Sequence, residues 1–254
     1  MYSIPDSYEP LKAANGITAF LGGTVFVLTT PRVWPLAAVP VIVLSLLGGV
    51  LTALGIWGAI ELSTSLVPAP RAGWVQFGYV TLAVALSLLA VLLAALASLG
   101  LTQPLSGPAL ERISIAQQRQ LTTTEPPSQG LLKSIWISVR AMLFALIGGG
   151  LALVVRFSVS LMFPPAAVVT VPMKFLVAAW MLAWDLLDYP LGLRGLGIRD
   201  RLRWMRRNLS ATMVFGSVSA LVSMVPGAIL LLLPVGVAGA TRLVLKDEPP
   251  VRPR

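Results

Sequence analysis

The chain of 254 residues contains no cysteine and no histidine. Without cysteine it has no disulfide framework, no thiol nucleophile and no thiolate metal site. Without histidine it lacks the commonest general base, metal ligand and pH switch. Charge is scarce too: 11% of residues are Asp, Glu, Lys or Arg, against about 25% in a soluble domain. Haem, zinc and triad enzymes fall away on these absences, so the reading is non-enzymatic, with no cofactor and no metal. Gly148-Gly149-Gly150 is not a phosphate loop, because no Lys-Ser/Thr follows it. It reads as a place for close helix packing.

What fills the chain instead is apolar. Hydrophobic residues make up 56% and the mean hydropathy is +0.85. The expectation is an all-α integral membrane protein. Nineteen basic residues against ten acidic ones give a net charge of +9. In a membrane protein this excess reflects the positive-inside rule and contact with anionic lipid. Nucleic acid is not expected as a partner, since the basic residues flank apolar tracts and form no separate module. The first ten residues carry Asp6 and Glu9 and no basic start, so no cleavable signal peptide is expected.

The apolar tracts differ in length. Residues 16–30, between Lys12 and Arg32, are too few to cross and suit a helix in the membrane interface. Residues 33–60 read as a spanning helix with Pro35 and Pro40 in its first turns, Pro40 as a kink or the true start. Residues 72–110 hold a second span at 79–101, followed by a polar, proline-broken end at Gln103, Pro104, Ser106, Gly107 and Pro108. A polar loop is expected at 111–129. Residues 134–184 read as a helical hairpin turning near Pro164-Pro165. A basic loop then runs over 194–207.

The last tract is the most informative. No residue between Arg207 and Arg242 is ionisable. As one helix those roughly 34 residues would reach about 51 Å, whereas the hydrocarbon core needs about 30 Å. Two crossings would need more than about 40 residues. The charged loops 111–133 and 194–207 and the basic C-terminal end belong on one side by the positive-inside rule. The tract must therefore leave and return on that side. This predicts a partial-depth hairpin turning near Pro226, with arms of about 15 residues or roughly 22 Å. The expected organisation is a single membrane domain over 1–245 and a disordered, proline-rich tail over 246–254, with both termini cytoplasmic.

Several residues stand out as candidate anion contacts. Arg140 and Arg156 lie in apolar surroundings, where arginine is costly and functional by default. A guanidinium matches a tetrahedral oxyanion through two parallel hydrogen bonds; the alternative is that each snorkels to an interface. Arg32 and Trp34 stand at a helix start, where free N–H groups favour an anion, or they anchor the interface. Ser106, Glu111 and Arg112 offer a hydroxyl and a charge pair at the end of the second span, or a simple helix end. Asp185, Asp188 and Tyr189, followed by Arg194, read as a gate or as structural pairing. Asp185 and Asp188 are three apart and share a helix face. Five other tryptophans, 57, 74, 136, 180 and 184, read as belt or packing residues.

A run of blocks resembles a known family. Ala179-Trp180-Met181-Leu182-Ala183-Trp184-Asp185-Leu186-Leu187-Asp188-Tyr189-Pro190 is similar to the CysZ-type bacterial sulfate transporters, a family that includes the eukaryotic etoposide-induced membrane proteins. The resemblance continues at Phe215-Gly216, Val225-Pro226 and residues 233–241. Upstream it extends to Pro104-Leu105-Ser106-Gly107 with Leu110-Glu111-Arg112, and to Pro31 and Pro40. It implies an in-plane helix, two long transmembrane helices, two hairpins of partial depth, oligomers, and sulfate movement across the inner membrane. Where the transporters carry Gly-Leu-Arg-Arg between their two N-terminal prolines, this chain reads Arg32-Val33-Trp34-Pro35 after Pro31. The Asn-His after the tyrosine of the second block is replaced by Gly192-Leu193-Arg194. The leading expectation is a homo-oligomeric, multi-pass inner-membrane protein that moves sulfate or a related small oxyanion without ATP. The alternative is a non-transporting scaffold or lipid-associated protein of the same fold.

Overall fold

The computed structural model describes residues 9–67, 73–122, 167–225 and 228–247, and among these residues the secondary structure is helical with no strand. Helix α1, Ala13–Thr29, has 17 residues, or about 25 Å. A 3₁₀ turn at Pro31–Val33 leads into α2, Trp34–Leu66, and α3 covers Gly73–Leu121. The remaining helices are α4, Ala167–Leu193; α5, Ile198–Arg207; α6, Leu209–Ser223; and α7, Ala228–Lys246. The stretches Pro31–Leu66, Gly73–Leu121 and Pro172–Leu193 are long and apolar enough to cross a membrane. The protein is an all-α membrane protein.

Residues 39–106 form one compact unit. In it α2 and α3 run antiparallel along a seam of small residues. Gly55 faces Ala90, and Gly48 faces Ser98 one step further along. Small residues let two backbones approach where lipid supplies no hydrophobic drive. The outer faces are apolar: Leu46, Val50, Leu54 and Trp57 on α2, Val84, Leu88 and Leu92 on α3 are all exposed. Such a surface suits hydrocarbon rather than water. The buried hydroxyls of Ser98 and Thr102 donate to the carbonyls of Ala94 and Ser98, each at 2.6 Å, so neither is left unsatisfied.

The other unit takes the described residues up to Ala38 and from Gly107 onward. Its core joins α1, α4, α6 and α7, with Phe20, Leu186, Leu187, Phe215, Val237 and Leu243 buried together. On α1 the buried residues Gly16, Ala19, Phe20, Gly23, Phe26 and Val27 recur at helical spacing, while Leu21, Val25 and Leu28 are exposed. Glycines set the helix separations. A methyl on Gly23 would overlap the backbone of Val235 and Gly239, and one on Gly16 would lie 2.5 Å from the Ala211 carbonyl oxygen. A methyl on Gly216 would overlap the Ala179 carbonyl. Helices α6 and α7 touch each other and are joined by four residues, which forces them antiparallel. The residues of the turn itself, 226 and 227, lie outside the described residues.

Four sequence expectations change. The polar loop expected from 111 is helical to Leu121, because α3 runs through Pro104 and Pro108 as 49 continuous residues. Proline's fixed φ is compatible with a helix and its cost is local. Beyond it, Ala109, Leu110, Ile113, Ser114, Gln117 and Gln118 are buried and hold the helix in place. The segment expected to end at 184 continues to Leu193. There the Gly195 N–H bonds the Gly192 carbonyl (2.8 Å) and the Leu196 N–H bonds Leu191 (3.3 Å). Gly195 has φ +71°, so this is a Schellman ending, with Leu191 and Leu196 both buried. The basic loop expected at 194–207 contains α5, an amphipathic helix with Trp204 and Met205 buried and Asp200 and Arg206/Arg207 placed to suit the helix dipole. Residues 246 and 247, read from the sequence as the start of the tail, belong to the folded unit: Lys246 closes α7 and Asp247 is buried.

Candidate functional site

At the end of α4 the chain gathers charge. Asp188 pairs with Arg201 of α5, and Arg201 also donates through Nε to the Leu196 carbonyl, 2.8 Å away. Gly192 makes room for this guanidinium; a methyl there would lie 3.3 Å from Arg201 Nη2. Arg194 turns back to donate to the Pro190 carbonyl at 2.8 Å. The Tyr189 phenol is desolvated and lies in the combined field of Asp188, Asp185 and Glu111. Asp185, Asp188 and Glu111, all singled out in the sequence, thus lie within electrostatic range of Tyr189, with Arg194 at the same helix end. No three His, Cys, Asp or Glu among the described residues are grouped to hold a metal. The cluster can orient and hold charge, but contains no nucleophile–base pair.

A second polar group lies deeper in the same unit. Thr241 Oγ1 on α7 donates to the Val237 carbonyl at 2.8 Å. It therefore accepts from Ser114 Oγ of α3, 2.8 Å away. Gln117, three residues along α3 from Ser114, is fully buried. Among the described residues neither end of its amide has a hydrogen-bond partner, and the same holds for the buried Thr212 hydroxyl.

A third group was not visible in the sequence. The Asp247 carboxylate, 6% exposed, pairs with Arg207. It also accepts from Trp204 Nε1 at 2.6 Å and from Asn208 Nδ2 at 3.3 Å. Asn208 uses its other end to accept from the Leu11 N–H at 2.9 Å, and Ser210 Oγ donates to the Leu11 carbonyl at 3.0 Å. This joint ties the entry to α1, the α5–α6 junction and the end of α7. Its only sequence signal was Asn208 at the border between the basic run and the apolar tract.

The other candidates stand apart. Arg32 is exposed in the 3₁₀ turn before α2. Trp34 is also exposed, yet its indole N–H donates to the Val27 carbonyl at 2.9 Å and pins the end of α1 to the start of α2. Arg112 is exposed. Ser106 is buried, its hydroxyl without a hydrogen bond among the described residues. Arg140 and Arg156 lie outside the described residues. Two cations of the basic C-terminal end, which the sequence used only for topology, make defined contacts: Arg242 rests against the bare backbone of Gly22, and Lys246 donates to Thr18 Oγ1 at 2.7 Å.

Residues 19–234 match the family model described as sulfate transporter CysZ/etoposide-induced protein 2.4. Relatives named sulfate transporter CysZ include one from Pseudomonas fluorescens strain SBW25, 34% identical over 85 residues, which is 34% of this chain and 33% of the relative. One from Pseudomonas aeruginosa strain LESB58 is 34% identical over 85 residues, covering 34% of this chain and 35% of the relative. One from Pectobacterium atrosepticum is 41% identical over 69 residues, covering 27% and 25%. The chain thus spans about a third or less of the length of these relatives. The family match is far longer, running from within α1 to Pro234 of α7, and on it the chain belongs to the sulfate transporter CysZ/etoposide-induced protein 2.4 family.

Proposed function

We propose that this protein moves sulfate, or a closely related small oxyanion, across the bacterial inner membrane. It does so as a multi-pass protein, by channel-like or ion-coupled passage without ATP hydrolysis and without enzymatic chemistry. The family match over residues 19–234 carries the reading. The lengths support it: two helices exceed a membrane crossing, while α6 has only 15 residues, about 22 Å. In this reading α6 and α7 form a hairpin of partial depth, and the protein works as a homo-oligomer in lipid. The membrane domain runs through Asp247 and the proline-rich tail follows it. Arg32 offers an exposed guanidinium just before α2, and Trp34 holds that start in position; the backbone adds little there, because the Val33 and Trp34 N–H groups bond the Thr30 and Pro31 carbonyls. Ser106, Glu111, Arg112, Arg140 and Arg156 are the further substrate contacts. Asp185, Asp188, Tyr189 and Arg194 serve as gate or structural pairing.

The test is labelled sulfate flux into liposomes that hold the purified full chain. Uptake above empty vesicles is expected. Its absence, with helicity and thermal stability intact, overturns the transport reading. A specific observation favours a second reading. Arg32 stands without the arginine pair of the transporters, which suits a non-transporting scaffold or lipid-associated protein. Absent flux together with a stably co-purifying protein partner would select it.

A further inference from the structure

Helix α5 sorts its five arginines into two classes. At 100° per residue, Arg199, Arg203 and Arg206 fall within a stripe about 60° wide, and all three are exposed. Trp204 and Met205 lie on the opposite face and are buried. The two arginines that lean inward each meet a carboxylate from another helix end: Arg201 meets Asp188, and Arg207 meets Asp247. On the outward stripe, among the described residues, Arg203 pairs with the half-exposed Asp200 at 3.2 Å, an ion pair of little energetic weight. The inward arginines hold the helix in the fold, and the outward ones are spare.

The neighbours of α5 fix what this stripe meets. Helix α4 ends its 22-residue apolar stretch at Leu193, and α5 starts directly after the Schellman turn. One residue beyond α5, α6 begins with the exposed Leu209. A short cationic helix with apolar helices at both ends lies where hydrocarbon meets water. Ile198, 72% exposed, adds an apolar side chain beside Arg199. We propose that the Arg199–Arg203–Arg206 face of α5 binds the phosphodiester headgroups of anionic phospholipid, and that Arg201 and Arg207 tie this contact to the ends of α4 and α7. Guanidinium forks take phosphate oxygens in pairs, and basic residues at a membrane surface attract anionic lipid. The inference does not depend on the transported anion.

The test uses the full-length chain in mixed micelles of equimolar phosphatidylglycerol and phosphatidylcholine at low ionic strength. Native mass spectrometry reads the ratio of the two lipids retained. The parent protein is expected to enrich phosphatidylglycerol. The triple variant R199Q/R203Q/R206Q is expected to lower that ratio by about tenfold or more, since each near-surface cation contributes about fivefold. The triple lysine variant, which keeps the charge, is expected to keep most of the enrichment. Should the triple glutamine variant fail to fold, R199Q and R206Q alone serve, each with an expected drop of about threefold to fivefold. A glutamine variant that folds and stays within about twofold of the parent overturns the proposal; that result would leave the face to an acidic protein partner or to none. Displacement of phosphatidylglycerol by inorganic sulfate, but not by chloride at matched ionic strength, would also overturn it and make the stripe a free-oxyanion site.

Discussion

Asp247→Asn and Asp247→Ala separate two contributions at one joint. The carboxylate is 6% exposed and the side chain of Arg207 is 19% exposed. Removing one partner of a buried ion pair costs about 3–5 kcal/mol. The partial exposure of Arg207 reduces this to about 2–3 kcal/mol for the asparagine variant, which still offers an acceptor oxygen to Trp204 and Asn208. Alanine removes that oxygen as well. The indole N–H and the Asn208 amide then lose their acceptor, at about 1 kcal/mol each, for a total of about 4–5 kcal/mol. At roughly 2–4 °C per kcal/mol for a chain of this size, the asparagine variant should melt roughly 5–10 °C lower and the alanine variant roughly 10–18 °C lower. The assay is a thermal ramp in one detergent, followed by circular dichroism and tryptophan fluorescence. Because Asn208 also receives the Leu11 N–H, limited proteolysis near residue 11 should speed up in the alanine variant. If both variants melt within about 2 °C of the parent, below what 1 kcal/mol would shift, Asp247 is not a structural joint and the reasoning fails.

Two further stability tests follow from the packing and the charge cluster. Gly216→Ala places a methyl onto the Ala179 carbonyl and 3.0 Å from Ala183 Cβ; it should cost about 1–3 kcal/mol or more, whereas Gly58→Ala, with nothing within 4 Å, should be neutral or stabilising by up to about 1 kcal/mol, as read by paired melting curves. For the pair at the end of α4, Asp188 is 39% exposed and Arg201 13%. D188N and R201Q should each cost about 1–2 kcal/mol, and the double variant should cost less than their sum by about 1 kcal/mol in a double-mutant cycle.

The parts of the fold legible in the sequence were those governed by charge placement and tract length. The uncharged run after Arg207 does divide into two helices, ending at Ser223 and resuming at Ala228. The close packing of Gly216 lies in a block that the family resemblance had already singled out. The misses have separate causes. Pro104 and Pro108 read as breakers on local propensity, while the buried face from Ala109 to Gln118 keeps α3 helical through them. The helix in the basic run was obscured by five arginines, although Ile198, Leu202 and Met205 already repeat at helical spacing. Asp247 sat against a proline-rich end and was assigned with it; no local pattern marks a carboxylate whose partners lie about 40 residues upstream. Of the candidate site, the influence of Glu111 on Tyr189 joins positions far apart in the sequence, which no short-range spacing encodes.

The glycine contacts between α1, α4, α6 and α7 bear on how this bundle responds to temperature. Cohesion in a water-soluble core leans on expelling water, a drive that fades on cooling and carries a large heat-capacity change. Here the closest approaches are backbone to backbone, at Gly16, Gly23 and Gly216, and the surrounding lipid is as apolar as the side chains it would replace. Dispersion between well-fitted surfaces then does the holding, and it does not weaken in the cold. The bundle should therefore keep its packing nearly unchanged across the growth range of its host, with a flat rather than domed stability curve.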